Sequence, residues 1–509
     1  MGSIVRMRVE QKMSDTSITA AALLPWGQPK LVQTRRGPRL LATAPAPADF
    51  IERYKADEVT MRSIGVTIRY RYQGGAAEAC WWRVPLQDTV KVANGFATGT
   101  TPTLRGYQEG AVEAGVRFML EDGNENGIII IPTGGGKSLC IGATAQRLPG
   151  PCLILQPSRE ILQQNAEKLR GYGYHPALYS ASVGKKQVGD ITLATIGSII
   201  RKKDLFKDFP FCIIDEAHLV NAKGGMYDDF LASNKMRTVG YTATAYRLST
   251  DGYGGSILKL LTRTRPRLFH RILYYCQNRH RFDAGYLCPL EYRVIKAVDT
   301  EQLTLNSTGA DFTDASVTRE FARIQFPELL YHTVKDLLNE GRKSIIVFTR
   351  FVAEAESLAA RVPGAECVSA ETPPKERARM LDAFKAGKIP FISNVGVVAL
   401  GFDYPALDTV VLAGPTMSLA QYYQRVGRCI RPHPSKQSAL VIDMVGLVKR
   451  FGKIEDLEIH EGEHGKWWIG SGNRPLTNVY FGTPHGRPDW IPEKSANSTI
   501  KGNLLPTLY

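Results

Sequence analysis

The sequence predicts an α/β protein in which two tandem parallel-sheet domains follow a small N-terminal α+β domain and precede a C-terminal tail. Two observations carry this prediction. Continuously apolar, strand-like runs alternate with helical stretches in residues 102–248, and the same alternation returns in residues 326–447. Such strands are typical of parallel sheets that helices cover on both faces. The 509 residues, 43% of them hydrophobic, are enough for several packed domains.

The predicted strands fall into two groups along the chain. In the first α/β domain they are Ile128–Ile131, Cys152–Leu155, Ile191–Thr195 and Phe211–Ile214. In the second they are Ser344–Phe348, Phe391–Ser393, Thr409–Leu412 and Ala439–Ile442, with helices predicted over Glu354–Arg361 and Glu376–Ala386.

The remaining segments differ in composition. Residues 1–48 hold seven Lys/Arg and two Asp/Glu and end in an Ala/Pro tract, which predicts a flexible basic arm. Residues 49–101 predict a small α+β accessory domain, because alternating residues flank a Gly74-Gly75 turn as in a β-hairpin. Trp81 and Trp82 make this domain a candidate DNA reader. Residues 249–325 form a basic connecting region, and residues 448–509 a C-terminal extension.

Charge and cysteine usage limit the partners. The 64 Lys+Arg against 49 Asp+Glu leave a net charge of +15, which favours a polyanionic partner. No apolar run approaches the roughly 18 residues of a membrane span. The eight cysteines contain no C-x-x-C pair, so we expect a cytoplasmic protein without zinc. The H-E-x-x-H pattern from His460 to His464 contains Gly462 and lacks a third ligand, so we expect a solvated loop there.

A glycine-rich loop follows the first predicted strand. The sequence after Ile131 is Pro132-Thr133-Gly134-Gly135-Gly136-Lys137-Ser138, and a helical stretch comes next. Backbone N–H groups of such a loop close on phosphate oxygens, and the helix N-terminus favours their negative charge. Lys137 would reach the β- and γ-phosphates, and the Ser138 hydroxyl would ligate Mg²⁺. The loop therefore predicts a binding site for ATP and Mg²⁺.

Two further patterns supply groups for hydrolysis. The strand ending at Ile214 continues into Asp215-Glu216-Ala217-His218, where Asp215 would hold Mg²⁺ and Glu216 would deprotonate the attacking water. A second pattern, in the other α/β domain, is Gln424-Arg425-Val426-Gly427-Arg428-Cys429-Ile430-Arg431. In a helix, Gln424, Arg428 and Arg431 would share one face, where two guanidinium groups suit a γ-phosphate.

Together, these three patterns resemble the DEAH-type superfamily 2 helicases and translocases, over residues 104–447. The resemblance implies two RecA-like domains that bind ATP in the cleft between them and nucleic acid across both. It implies that Arg105 and Gln108 read adenine, that His218 partners the Thr242-Ala243-Thr244 segment, and that Gly401 and Asp403 face the ribose or the phosphate-sensing network. It also implies nucleic-acid contacts at Ser158, Arg159, Thr195, Gly197, Thr242, Thr244, Thr349 and Arg350.

Within that superfamily, Gly240–Leu248 and the segments 394–397 and 401–405 resemble RadD-type and phage UvsW-type DNA helicases. Val395 stands where many relatives carry Thr, and the cysteine-rich zinc region of RadD-type proteins is missing. The resemblance implies an ATP-dependent DNA helicase or translocase in repair, recombination or phage replication. We expect single-stranded, forked or branched DNA as its partner, in the nucleoid or in a phage host's cytoplasm.

Three alternatives stay open. One is an RNA helicase, although His218 and T-A-T differ from the DEAD-box pattern, which has Asp and S-A-T. Another is a subunit that translocates on duplex DNA without unwinding it. The third is a binding module whose loop holds no nucleotide.

Overall fold

The computed structural model describes residues 103–221, 224–250, 256–307, 310–396, 404–462 and 466–477, together with strands at 30–34, 37–44, 66–70, 77–83 and 480–481. The chain forms two compact units. The first comprises Met1–Ile129, Ser138–Asp215 and Gly224–Tyr241, and the second comprises Ile130–Lys137, Glu216–Lys223 and Thr242–Tyr509. The second unit thus includes the glycine-rich loop and the Glu216–His218 turn, although both lie in the first predicted α/β domain.

The N-terminal strands form an antiparallel sheet in the order β1-β2-β4-β3. They are β1 (Lys30–Thr34), β2 (Gly37–Ala44), β3 (Val66–Tyr70) and β4 (Ala77–Arg83). Strands β3 and β4 form the predicted hairpin. The prediction of a flexible arm over residues 1–48 is wrong for 30–34 and 37–44, because a ladder of backbone hydrogen bonds joins these residues to each other and to β4.

The first unit is built from alternating strands and helices. Its first elements are α1 (Gly106–Leu120), β5 (Gly127–Ile130), α2 (Lys137–Arg147), β6 (Cys152–Gln156), α3 (Arg159–Gly171), β7 (Ala177–Ser180) and β8 (Lys185–Lys186). They are followed by β9 (Ile191–Thr195), α4 (Ile196–Ile199), β10 (Phe211–Asp215), α5 (Met226–Asn234) and β11 (Arg237–Thr242).

The sheet of the first unit places its polar strand ends together. Its strands run in the order β5-β11-β10-β6-β9-β7-β8, and β11, β10, β6, β9 and β7 pair in parallel. Every residue of β6 and β10 is buried, as expected for strands covered on both faces. Gln156, Thr195 and Asp215 end β6, β9 and β10. Parallel pairing therefore brings these three side chains to one edge of the sheet.

The second unit contains a second parallel sheet, in the order β15-β20-β19-β16-β18-β17. The elements before it are β12 (Tyr246–Thr250), β13 (Ser256–Leu260), β14 (Arg271–Tyr275) and α6 (Asn278–Asp283). Those of the sheet and its helices are β15 (Leu290–Val294), α7 (Asp314–Arg323), α8 (Phe326–Asn339), β16 (Ile345–Phe348), α9 (Val352–Ala360), β17 (Glu366–Val368), α10 (Pro374–Lys385), β18 (Phe391–Asn394), β19 (Thr409–Leu412), α11 (Leu419–Val426), β20 (Ala439–Asp443) and α12 (Leu447–Phe451).

The C-terminal extension begins with a small antiparallel sheet of β21 (Leu457–Gly462), β22 (Lys466–Ser471) and β23 (Arg474–Pro475). A last strand, β24 (Tyr480–Phe481), pairs with β13. The prediction of a solvated loop at His460 is wrong, because His460 lies within β21 and its ring stacks on Trp468 with 3.9 Å between centroids. A strand paired with β22 thus stands where a loop was expected.

The eight strands predicted for the two α/β domains are confirmed to within one or two residues at each end, as are the helices α9 and α10. Among the residues that the structure describes, none of the helices combines the length and the apolar character that a bilayer crossing requires.

Candidate functional site

The glycine-rich loop is tight enough to exclude other side chains. A Cβ atom built on Gly135 would lie 2.5 Å from Cγ2 of Ile131 and 2.8 Å from the carbonyl oxygen of Pro132. Gly134 and Gly136 have φ angles of 74° and 77°, in the left-handed region that glycine adopts at little cost. The loop leads directly into α2, so its N–H groups and the helix N-terminus form the kind of cradle that binds phosphate.

A charged pair links this loop to the D-E-A-H turn within the second unit. The ammonium group of Lys137 forms an ion pair with Oε1 of Glu216. The other oxygen, Oε2 of Glu216, lies 3.4 Å from Nδ1 of His218. Glu216 itself has φ 47° and ψ 49°, a left-handed conformation that costs a non-glycine residue about 1–2 kcal/mol. Such strain is concentrated at functional sites, where it aims a side chain.

His218 connects two of the predicted motifs. Its Nδ1 atom lies 2.9 Å from Oγ1 of Thr242, and its Nε2 atom lies 3.2 Å from Nε2 of Gln424. Because an amide nitrogen can only donate, Nε2 of His218 accepts, and Nδ1 carries the proton that Thr242 receives. The N–H of Thr244 donates to the same Thr242 oxygen at 3.0 Å. In the structure, His218 thus hydrogen-bonds the T-A-T segment through Thr242.

The arginines of the second α/β domain lie outside a helix. Helix α11 ends before Gly427, so Gln424 lies in the helix, whereas Arg428 and Arg431 lie beyond its end and do not share its face. A Cβ atom at Gly427 would lie 2.8 Å from Cγ2 of Thr133 in the glycine-rich loop. Only glycine permits this close approach of the end of α11 to the loop.

Both arginines nevertheless lie close to the predicted ATP site. Burial lowers the pKa of Arg428 to about 10, and the negative charge of Glu216 opposes this shift. Arg428 therefore stays charged at neutral pH. A Cβ atom built on Gly134 would lie 3.8 Å from Cγ of Arg431. The loop, the Glu216–His218 turn and both arginines thus converge within the second unit.

In the first unit, one amide joins the two predicted Mg²⁺ ligands. The hydroxyl of Ser138 donates to Oδ1 of Asn165 at 2.7 Å. The Nδ2 atom of Asn165 donates to Oδ2 of Asp215 and to Oε1 of Gln156, each at 2.8 Å. Asn165 is buried on α3. Sequence reasoning missed Asn165, because one amide on an amphipathic helix gives no motif.

The predicted adenine-reading residues lie at the start of α1. Arg105 caps this helix, and Gln108, which is buried, accepts the backbone N–H of Arg105 at 2.9 Å through its Oε1. The side chain of Gln108 therefore holds the first turn of α1, and the structure fixes its orientation.

Two of the predicted nucleic-acid motifs lie at the carboxyl edge of the first sheet. Ser158 caps α3 after β6, and Thr195 ends the neighbouring parallel strand β9. The Thr195 hydroxyl lies 2.9 Å from that of Ser198. Arg159 and Gly197 are exposed. This edge therefore offers an accessible guanidinium and an open backbone segment.

Three predicted nucleic-acid contacts are buried. Thr242 and Thr244 are fully buried, and Thr349 is 2% exposed. The Thr242 hydroxyl is occupied by His218, and that of Thr349 bonds the carbonyl of Phe351 at 3.3 Å. The prediction that these three hydroxyls contact nucleic acid directly is therefore wrong.

Arg350 is held by its own unit. Its guanidinium donates to Oδ1 of Asp314 at 2.9 Å and to the carbonyl oxygens of Phe312 and Pro415 at 2.7 and 3.0 Å. These bonds favour a structural role over the predicted contact with a nucleic-acid phosphate.

Gly401 and Asp403 lie outside the described residues. In the basic connecting region, Phe269 belongs to the core, and Tyr275 packs edge-on against Trp467 with ring centroids 5.2 Å apart. Arg281 from the same region is 1% exposed. Its burial was not predicted, since residues 259–281 hold seven Lys/Arg and no acidic residue, a composition that favours a solvated surface.

Each unit contains residues that fit one part of a nucleoside triphosphate with its divalent cation. In the second unit, the tight glycine turn forms the kind of cradle that binds phosphate, and Lys137 supplies a cation beside it. Ser138 and Asp215 supply the hydroxyl and carboxylate oxygens that Mg²⁺ prefers.

Known proteins resemble the chain in both α/β domains. The family model of the type III restriction enzyme res subunit matches residues 101–247, and that of the helicase conserved C-terminal domain matches residues 328–433. The IRC3 protein of Saccharomyces cerevisiae is 25% identical over 373 residues, which cover 68% of this chain and 52% of that protein. The DNA 3'-5' helicase XPB of Kineococcus radiotolerans is 25% identical over 372 residues, which cover 70% and 62%.

The chain therefore spans about half to two thirds of the length of these relatives. Among solved structures, a fragment described as an HsdR subunit of a type I restriction enzyme from Vibrio vulnificus YJ016 has a TM-score of 0.51 at 17% identity, and the match covers 84% of this chain and 89% of that one. The fold is thus that of two RecA-like helicase domains built on parallel sheets. Together, the two family matches and these relatives support a superfamily 2 helicase.

Proposed function

We propose that the protein is an ATP-dependent DNA helicase or translocase. One observation carries the proposal: Lys137, Glu216, His218 and Gln424 form a continuous chain of contacts within the second unit. A phosphate-binding cation, a general base and a residue from the second α/β domain are thereby connected. Coupling of hydrolysis to movement requires such a chain, because displacement of one group changes the position of the next.

In the proposed reaction, Glu216 accepts the proton of the attacking water. Its left-handed backbone aims the carboxylate, which is held by Lys137 before nucleotide binds. Transfer of Lys137 to the phosphates would release Glu216 for the water. Ser138 and Asp215 would hold Mg²⁺, which would supply positive charge to the phosphates. Arg428 and Arg431 would stabilise the charge that develops on the γ-phosphate.

His218 is proposed to transmit changes at Glu216 during ATP hydrolysis to neighbouring parts of the protein. It bonds Thr242 on one side and Gln424 on the other. A shift of Glu216 on hydrolysis would alter the 3.4 Å approach of its Oε2 to Nδ1 of His218. This histidine is therefore placed to link hydrolysis with rearrangement of α11 and of the T-A-T segment.

DNA is the proposed track for two reasons. The net charge of +15 suits a polyanion, and the exposed Arg159 and Gly197 give the first sheet an edge that can follow a phosphate backbone. In addition, the XPB relative is described as a DNA 3'-5' helicase. We propose DNA as the substrate of this chain as well. The proposal includes a closer likeness to RadD-type or UvsW-type helicases. It also includes a role in repair, recombination or phage replication in the cytoplasm.

Strand displacement and triplex displacement test the proposal together. The substrates are a forked DNA duplex, a fork of the same sequence in RNA, and a DNA duplex carrying a third strand, each with ATP and with a nonhydrolysable analogue. ATP-dependent opening of the DNA fork supports a helicase. Triplex displacement without fork opening supports the duplex translocase, and opening of the RNA fork alone would overturn the DNA assignment.

A further inference from the structure

The short helix α6 lies against the glycine-rich loop, although no motif includes it. Arg281 on this helix is 1% exposed, and its Nη1 atom donates to the carbonyl oxygen of Thr133 at 3.1 Å. A Cβ atom built on Gly135 would lie 3.5 Å from Cζ of Arg281, and one on Gly134 would lie 3.7 Å from Nη2. The guanidinium therefore packs directly on the glycines of the loop.

This hydrogen bond constrains one peptide plane. Because the peptide bond is planar and trans, the carbonyl of Thr133 and the N–H of Gly134 point in opposite directions. Arg281 holds the carbonyl on its own side, so the N–H of Gly134 faces away from Arg281. Gly134 has φ 74°. Because glycine adopts positive and negative φ about equally readily, this peptide plane could otherwise take other orientations. Because the peptide plane is already fixed, phosphate binding does not incur the entropic cost of ordering it.

The helix that carries Arg281 is itself braced. The Nδ2 atom of Asn278 donates to the carbonyl of Ile454 at 3.0 Å, and its Oδ1 accepts the hydroxyl of Tyr423 at 2.6 Å. Asn278 is buried, and the neighbouring Arg279 forms an exposed ion pair with Asp456. Helix α6 therefore joins the loop to α11 and to the segment that precedes β21, all within the second unit.

We propose that Arg281 is a positioning residue of the nucleotide site, which orients the Thr133–Gly134 peptide so that the N–H of Gly134 faces the phosphates. The inference rests on the proposed function in one respect, namely that this loop binds a nucleotide. It also gives the basic connecting region a role within the ATP site.

Equilibrium binding of a fluorescent ADP to the full-length protein tests this role. Arg281→Met should weaken ADP binding about tenfold, equivalent to about 1.4 kcal/mol, because the loop loses its tether. Arg281→Lys, which keeps a charged donor of similar reach, should restore affinity to within about threefold. The control His280→Ala, on the same helix but exposed, should bind ADP as the wild type does. Thermal unfolding midpoints confirm that each variant is folded.

Equal ADP affinity in folded Arg281→Met and wild type would overturn the inference, and so would equal losses in the Met and Lys variants. If Arg281→Met does not fold, Arg281→Gln decides, because its shorter amide does not reach the carbonyl of Thr133. A folded Arg281→Gln with wild-type affinity overturns the role, and a loss of threefold or more supports it. Failure of the wild type to bind ADP would instead contradict the proposed function.

Discussion

The side-chain amide of Asn165 donates to Oδ2 of Asp215 at 2.8 Å, while its carbonyl oxygen accepts the hydroxyl of Ser138 at 2.7 Å. One buried side chain thus holds both groups that would ligate Mg²⁺. Its position on α3 couples the helix after β6 to the end of β10. Loss of a residue that hydrogen-bonds metal ligands typically lowers metal affinity or activity by about 10–100-fold.

Replacement of Asn165 by Leu should raise the Mg²⁺ concentration needed for half-maximal ATP hydrolysis about tenfold or more. The apolar side chain leaves Ser138 and Asp215 without their shared partner. A Mg²⁺ titration of the ATPase rate measures the shift, with thermal unfolding as a check on folding. Glu167→Gln, an exposed change on the same helix, serves as the control. An unchanged Mg²⁺ requirement in a folded Asn165→Leu would assign Asn165 to packing alone.

Glu216→Gln should lower the ATPase rate by about 10²–10⁴-fold, the usual contribution of a general base. ATP binding should persist, because the amide remains beside Lys137. Single-turnover hydrolysis and equilibrium nucleotide binding measure the two effects separately. Asp229→Asn, at an exposed carboxylate on α5, is the matched control. Normal turnover in Glu216→Gln would remove it from the role of base.

Arg431→Ala and Arg428→Ala should hydrolyse ATP at least tenfold more slowly while they still bind it. The expectation follows from charge, since each arginine would stabilise the transition state more than the bound ground state. The kcat and KM values for ATP separate the effect on hydrolysis from the effect on binding. Arg323→Ala is the control, because the Arg323 side chain is largely exposed. A rise in KM without a fall in kcat would assign the arginine to binding instead.

Thr242→Val should reduce the ratio of DNA-stimulated to basal ATPase rate several-fold. The change removes the acceptor of His218 Nδ1 and of the Thr244 N–H without altering the side chain's shape. The matched control is Thr238→Val on the same strand, whose hydroxyl donates to the carbonyl of Met236 at 3.1 Å and hydrogen-bonds the thiol of Cys212. An equal effect of both substitutions would indicate general destabilisation of β11.

Glu354 predicts a pH dependence of stability in the second unit. Burial raises the pKa of Glu354 to about 7 from 4.5, and hydrogen bonds from backbone N–H groups reduce the shift. The folded protein then binds a proton more tightly than the unfolded chain, so the free energy of unfolding falls as pH rises from about 4.5 to about 7. The loss amounts to at most about 3 kcal/mol.

Glu354→Gln should remove this loss and stabilise the protein at pH 8, as judged by denaturant unfolding at several pH values. Glu356→Gln, exposed on the same helix α9, should leave the profile unchanged. Identical pH profiles for wild type and Glu354→Gln would show that Glu354 titrates as an ordinary carboxyl.

The sequence predicted what local patterns encode. Strands with continuous apolar runs and the glycine-rich loop could be placed because each has a short-range physical signature. The need for glycine at position 427 could not be predicted, because it arises from close contact with Thr133, far away in the chain. Asn165 and Arg281 were missed for the same reason. A single amide or one guanidinium among seven basic residues acquires its role only from tertiary neighbours.

The steady-state ATPase rate of the full-length protein tests the central claim most directly. It is measured without nucleic acid and with single-stranded DNA, duplex DNA, forked DNA and an RNA of matched sequence, for wild type and for Glu216→Gln. We predict stimulation by DNA, strongest with forked or single-stranded DNA, and near-complete loss of turnover in Glu216→Gln. Absence of stimulation by every nucleic acid would contradict the assignment of a nucleic-acid motor, and stimulation by RNA alone would contradict its DNA track.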